Sequence, residues 1–110
     1  MADVFNEREK GEERKYKMDQ DLLFKAEARR NKLLGQWLAG EFGMGPAETE
    51  EYYKSVIVAD LEEPGIDDVI RKIMSDIAEH GAAISEDQIR DKIEELDSVA
   101  IAQVRAEQKE

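Results

Sequence analysis

The sequence predicts an all-α protein, in which a four-helix body follows a flexible, helix-prone N-terminal arm. After residue 18, apolar side chains recur every three or four positions in four separate segments, the spacing of one face of an α-helix. Gly and Pro residues interrupt the chain between these segments. Val58 has strand propensity, but no partner strand appears elsewhere. The length of 110 residues fits one domain with a modest core.

The arm, residues 1–18, differs from the body in charge and in apolar content. It holds five of the 27 acids and five of the 16 bases, so the net charge of −11 falls on the rest of the chain. Its few apolar side chains cannot offset the entropy lost on ordering, whereas its Glu, Lys and Arg residues favour helix. We therefore expect an arm that is disordered alone and folds against a partner, with a solubilising tail as the alternative. The sizeable apolar side chains of the arm are Val4, Phe5, Tyr16 and Met18.

The first helix is predicted over residues 19–42. Its apolar stripe begins at Leu22 and continues to Phe42, and Gly43 suits a helix exit. Gly35 lies inside this helix, where glycine costs about 1 kcal/mol of helix stability relative to alanine.

Three shorter helices are predicted over residues 46–60, 66–80 and 86–106, with a frayed tail at 107–110. Proline opens the first of them, and Pro-Gly and His-Gly steps bound the second. Ser85–Gln88 matches a capping box, in which the Ser and Gln side chains satisfy free backbone amides at a helix start.

The order of packing is predicted from the short connections, which favour contact between consecutive helices. The third and fourth helices are expected to form a hairpin. The first helix is expected to pack through residues 33–38, which leaves its N-terminal half continuous with the arm. Trp37 and the tyrosines are expected in the core.

Composition excludes several functional classes. An excess of acids disfavours nucleic acid and anionic membrane surfaces as partners, and no apolar run approaches the roughly 20 residues of a membrane span. Without cysteine and with His80 as the single histidine, the chain offers no pattern for a metal site or a catalytic triad. We expect a cytoplasmic, non-enzymatic protein that is a monomer when free.

A basic stripe stands out within the first helix. Lys25, Arg29 and Lys32 are spaced by four and three residues, with Arg30 beside them. In so acidic a body, these bases could bind a carboxylate-rich partner or the phosphates of ATP or ADP. A solvated face that balances neighbouring acids is the alternative.

Three strings of sequence then resemble a known family. FKAEARRNKLLG (Phe24–Gly35), ADLEEPG (Ala59–Gly65) and QIRDKIEEL (Gln88–Leu96) are similar to the zeta-type inhibitor subunit of alphaproteobacterial F-type ATP synthases. The resemblance extends from about Phe5 to Val104. It implies a four-helix regulator, peripherally associated with the membrane-bound synthase, whose N-terminal region enters the catalytic head.

The resemblance also implies which residues bind the synthase. The N-terminal region would wedge between an alpha and a beta subunit, against the gamma subunit, and block rotation in the ATP-hydrolysing direction. A helical nucleotide-binding module and an adaptor for another partner are the competing interpretations. The inhibitory stretch maps onto Phe5–Lys17, with Phe5, Glu7, Arg8, Glu9, Lys10, Arg14, Lys15 and Tyr16 as the candidate contact residues.

Overall fold

The computed structural model describes residues 20–63 and 65–108, which form four α-helices without a strand among them. The prediction of an all-α, four-helix fold is confirmed. The predicted arm, residues 1–18, lies outside the described residues. In chain order the helices are α1 (Gln20–Glu41), α2 (Pro46–Glu62), α3 (Ile66–His80) and α4 (Glu86–Gln108).

The observed bounds differ from the predicted ones by at most two residues at each end. The bounds of α3 are those predicted, and α2 continues two residues past the predicted end. The tail predicted at 107–110 is corrected in part, because α4 remains helical through Gln108.

Local sequence signals explain where α3 ends and α4 begins. Gly81 adopts a left-handed conformation with φ of 67°, and the amide of Ala82 donates to the carbonyl of Ile77 at 3.0 Å. This is the glycine-dependent closure of a helix end. The predicted capping box is confirmed, since the amide of Ser85 donates to Oε1 of Gln88 at 2.8 Å and the amide of Gln88 donates to Oγ of Ser85 at 3.2 Å.

The core lies where the four helices meet. Tyr52 is buried there as predicted, whereas Trp37 and Tyr53 are half-buried. Phe42 and Met44, from the α1–α2 connection, pack against the edge of this cluster. The largest fully buried side chains of the core are apolar: Leu34, Leu38, Val56, Val69, Ile73 and Ile89.

The helix α1 is central, with extensive contacts to both α2 and α4. The predicted α3–α4 hairpin is wrong as the main pairing of α4, since α3 contacts α4 only slightly and contacts α2 more. The first helix is predicted to pack through residues 33–38, but Leu22 and Ala26 in its N-terminal half are buried as well. Both differences have one cause: α4 has 23 residues against 15 in α3, and its C-terminal half lies along α1.

The helices α1 and α2 approach most closely at Gly35. A Cβ atom at this position would lie 2.5 Å from Cα of Tyr53, well inside van der Waals contact. The glycine that weakens α1 locally is therefore required by its packing against α2.

Candidate functional site

Arg30 lies inside the helix body and not on the predicted basic face. Its Nη2 forms an ion pair with Oδ2 of Asp60 on α2 at 3.2 Å, and its Nη1 pairs with Oδ1 of Asp97 on α4 at 3.1 Å. Asn31 adds a hydrogen bond from Nδ2 to Oδ2 of Asp60 at 2.9 Å and accepts one from Nε of Arg30 at 3.1 Å. These four residues, the Arg30 network, connect α1 to both of its neighbours.

Sequence reasoning missed this inward position, although a signal for it exists. Leu22, Ala26, Arg30, Leu34 and Leu38 are spaced by four residues, and all five are buried. Side chains spaced by four residues share a helix face. Arg30 therefore occupies a core position of the apolar stripe, and a base at such a position requires buried acidic partners.

Arg29 is also engaged within the body. Its Nη1 donates to Oε1 of Gln103 at 2.9 Å, and its Nη2 forms an ion pair with Oε2 of Glu107 at 2.7 Å. Both partners belong to the last two turns of α4, so Arg29 fastens the N-terminal half of α1 to the end of α4.

Lys25 and Lys32 are the two members of the predicted basic face that form no ion pair within the described helices. Lys25 is exposed, and the Nζ of Lys32 lies 5.4 Å from the ring centroid of Tyr53, a cation–π contact. Neither ammonium forms an ion pair with a carboxylate of residues 20–63 or 65–108. The four predicted bases thus divide into two that are ion-paired within the body and two that line its surface.

A groove follows α1 between these two lysines and the C-terminal half of α2. Its walls are largely apolar, and Phe24 lies at the point where two adjoining depressions meet. Val104 and Glu107 of α4 close the depression that holds the two lysines, and Glu27 and Asp60 line the other one. The remaining lining residues that define this surface, the α1–α2 groove, are Phe24, Lys25, Ala28, Lys32, Ile57 and Leu61.

A second polar cluster lies between α2 and α3. The hydroxyl of Tyr52 donates to Oδ2 of Asp76 at 2.8 Å, and Nζ of Lys72 donates to the same oxygen at 2.9 Å. Burial raises the pKa of Tyr52, and the hydrogen bond to the Asp76 carboxylate raises it further. The phenol therefore stays protonated and acts as a hydrogen-bond donor. The role of this cluster is structural, because it connects α2 to α3.

His80 ends α3 and stacks on the ring of Phe42, with ring centroids 4.3 Å apart. Its side chain is exposed. No group of three or more His, Cys, Asp or Glu side chains in the described part of the chain is placed to hold a metal ion. None of the four helices is long and apolar enough to cross a membrane.

The candidate residues of the inhibitory stretch lie outside the described residues: Phe5, Glu7, Arg8, Glu9, Lys10, Arg14, Lys15 and Tyr16. The described structure begins at Gln20, the first residue of α1, one turn before Phe24. The described structure therefore shows the helical body that follows the inhibitory stretch, and not the stretch itself.

Comparison with known proteins identifies the family. The family model described as ATPase inhibitor subunit zeta matches residues 1–103, which span the N-terminal stretch, α1 to α3 and most of α4. No curated protein sequence matches the chain. Because the match covers nearly the whole chain, and the four-helix structure agrees with what the sequence strings implied, this protein belongs to the ATPase inhibitor subunit zeta family.

Proposed function

We propose that this chain is a regulator, and not an enzyme, that inhibits ATP hydrolysis by the F-type ATP synthase. Residues 1–18 insert into the catalytic head as a helix, at an interface between alpha and beta subunits and against the gamma subunit. There they block rotation in the ATP-hydrolysing direction. The observation that carries this proposal is the family match, which begins at residue 1 and so includes the N-terminal stretch as well as the helices.

The packing of α1 supports the proposal. A helix that continues α1 toward the N-terminus resists a turning stalk only if α1 itself cannot move. Arg29 and Arg30 fasten α1 to α4 and α2 within its first eleven residues. The body can therefore hold the C-terminal end of such a helix in place.

The charges of the N-terminal stretch suit an interface between several subunits. Its candidate contact residues carry both signs, and ion pairs across an interface fix orientation more than they add affinity. Phe5 and Tyr16 are the aromatic members, and aromatic anchors commonly supply much of the binding energy at an interface. We assign the binding energy mainly to these two residues and the alignment to the charged ones. The protein acts at the cytoplasmic side of the membrane, as a peripheral component of the synthase.

The test is ATP hydrolysis by the cognate synthase head, prepared free of this protein, with the full chain added. The matched control is the chain that lacks residues 1–18. The full chain should suppress hydrolysis, and the truncated chain should not. Equal inhibition by the two chains would assign the effect to the body and end the proposal of an inserting helix.

Binding of ATP or ADP by the basic face stays a prediction. It relied on four bases that act together, whereas Arg30 is buried in ion pairs and Arg29 is paired with Glu107. Only Lys25 and Lys32 remain to contact phosphates, and they lie two helical turns apart.

A further inference from the structure

The distribution of ion pairs in this acidic body is uneven. Most bases of the described residues form ion pairs with carboxylates, among them Arg29, Arg30, Lys54, Arg71, Lys72, Arg90 and Lys92. Lys25 and Lys32 form no ion pair with a carboxylate of the described residues, although acids outnumber bases by 27 to 16 in the sequence. Both unpaired ammonium groups line the α1–α2 groove. Two acids of the groove, Asp60 and Glu107, are paired with Arg30 and Arg29, and Glu27 lines the adjoining depression. The side of the groove at Lys25 and Lys32 is therefore positive in a negative protein.

The same groove exposes large apolar side chains. Phe24 is 56% exposed and Leu61 is 55% exposed. Scattered apolar side chains are normal on a surface, but a contiguous patch with a charged rim is typical of an interaction site. Phe24 and Leu61 line one depression, together with Ile57.

The spacing of the two lysines indicates the shape of the partner. Lys25 and Lys32 are seven residues apart on α1, which is about 10.5 Å along the helix axis. Two carboxylates that lie two turns apart on a partner helix would match this separation, with a small apolar side chain between them at Ala28 and a larger one beyond Lys25 that contacts Phe24. A single phosphate group, in contrast, needs donors that converge on one point.

We propose that the α1–α2 groove binds an acidic amphipathic helix of the ATPase that this protein inhibits. The partner helix lays its apolar face on Phe24, Ile57 and Leu61 and places its carboxylates against Lys25 and Lys32. This inference rests on the proposed function for the identity of the partner. It adds a second contact, made by the body, to the insertion of residues 1–18.

The first experiment reverses the two unpaired charges in the full chain. The groove variant carries Lys25→Glu and Lys32→Glu, and the matched control carries Arg71→Glu and Arg90→Glu. The control makes the same change in net charge at exposed bases of α3 and of the opposite end of α4. Circular dichroism checks that both variants fold, and the dissociation constant for the ATPase head and the inhibition of hydrolysis are measured for each.

The groove variant should bind the head about tenfold or more weakly than the unmodified chain, because like charges then face each other across the contact. The control should stay within about twofold, since exposed ion pairs contribute little. Equal losses in the two variants, or no loss in either, would overturn the proposal.

The second experiment removes apolar contact without changing charge. Phe24→Ser should weaken binding to the head. Val99→Ser, on α4 and outside the groove lining, should leave binding unchanged although Val99 is also exposed. Equal binding by both variants would overturn the docking of an apolar face.

Failure of the groove and failure of the proposed function give different results. If the unmodified chain binds the head without inhibiting hydrolysis, the proposed function fails and the groove comparison still decides the docking. If the unmodified chain inhibits hydrolysis and the groove variant binds the head as well as the control does, the proposed docking is wrong and the proposed function stands. If the unmodified chain does not bind the head, both fail. Amide shifts confined to the groove on adding Mg-ATP to the free protein would assign the groove to a nucleotide and also overturn the proposal.

Discussion

Removal of the Arg30 guanidinium should destabilise the helix body because its two ion pairs, with Asp60 and Asp97, are lost. Arg30→Met keeps most of the aliphatic stem, which packs among α1, α2 and α4, and deletes only the charged group. Asp60 and Asp97 then lose their cationic partner. Because the side chain of Asp60 is 14% exposed and that of Asp97 is 43% exposed, the two carboxylates differ in how well water can replace the guanidinium.

The magnitude follows from these exposures. A nearly buried carboxylate left with one donor, here Nδ2 of Asn31, costs about 1–3 kcal/mol of the free energy of unfolding. The more exposed Asp97 costs about 0–1 kcal/mol, as for a surface pair. The expected total is about 1–4 kcal/mol, or a drop in melting temperature on the order of 5–30 °C for a body of this size.

Urea denaturation followed by circular dichroism measures this loss, with Arg71→Met as the control. Arg71 is exposed and pairs with Asp68 within α3, so its loss should change the free energy of unfolding by less than about 0.5 kcal/mol. Asp60→Asn should lower the free energy of unfolding more than Asp97→Asn, because the side chain of Asp60 is less exposed to water. An Arg30→Met variant as stable as Arg71→Met, or equal costs at the two aspartates, would refute the reasoning.

The remaining predictions concern the helix crossing and the N-terminal stretch. Gly35→Ala should destabilise the body by about 1–3 kcal/mol, because its Cβ would overlap Tyr53, whereas Gly40→Ala meets nothing within 4 Å and should stabilise α1 by up to about 1 kcal/mol; shifts of the same sign in urea midpoints would contradict this. Removal of residues 1–18 should leave the melting temperature nearly unchanged, as little apolar area is lost, and a drop of many degrees would show that the stretch packs on the body. In hydrolysis assays Gly11→Ala should lower the inhibition constant by reducing the cost of ordering, and Gly11→Pro should raise it by kinking the helix. Equal potency of these two variants would exclude a helical wedge.

The helices and their ends could be predicted from the sequence because the signals for them are local. The Ser85–Gln88 capping box and the glycine at position 81 act on backbone groups within a few residues. The apolar period of α3 is uninterrupted, and its predicted bounds agree with the structure. Where a helix end depends on a distant contact, the prediction was short. The end of α4 lies beyond 106, next to the ion pair of Glu107 with Arg29.

The packing order could not be predicted from spacing, whereas the inward position of Arg30 has a spacing signal that the basic stripe obscures. The pairing of α1 with α4 involves contacts between residues 67 to 78 positions apart, and periodicity within one helix carries no information about its partner. Short connections favoured the pairing of α3 with α4, but the greater length of α4 allowed a larger contact with α1. The charge of Arg30 groups it with its basic neighbours, but its position in the four-residue apolar series places it in the core.

The Arg30 network also selects one alignment of α1 among several similar ones. The apolar side chains of α1 recur at every turn, so a shift of one turn, about 5.4 Å, along α2 and α4 would exchange one aliphatic contact for another of similar kind. Arg30 and Asn31 have no equivalent one turn away, and after such a shift their polar groups would be buried without Asp60. Burying a charge is unfavourable in itself, but here it separates otherwise near-degenerate packings. The position of Gln20 relative to the rest of the body, and so the place from which the N-terminal stretch starts, is determined by these two polar side chains together with the close approach of Gly35 to Tyr53.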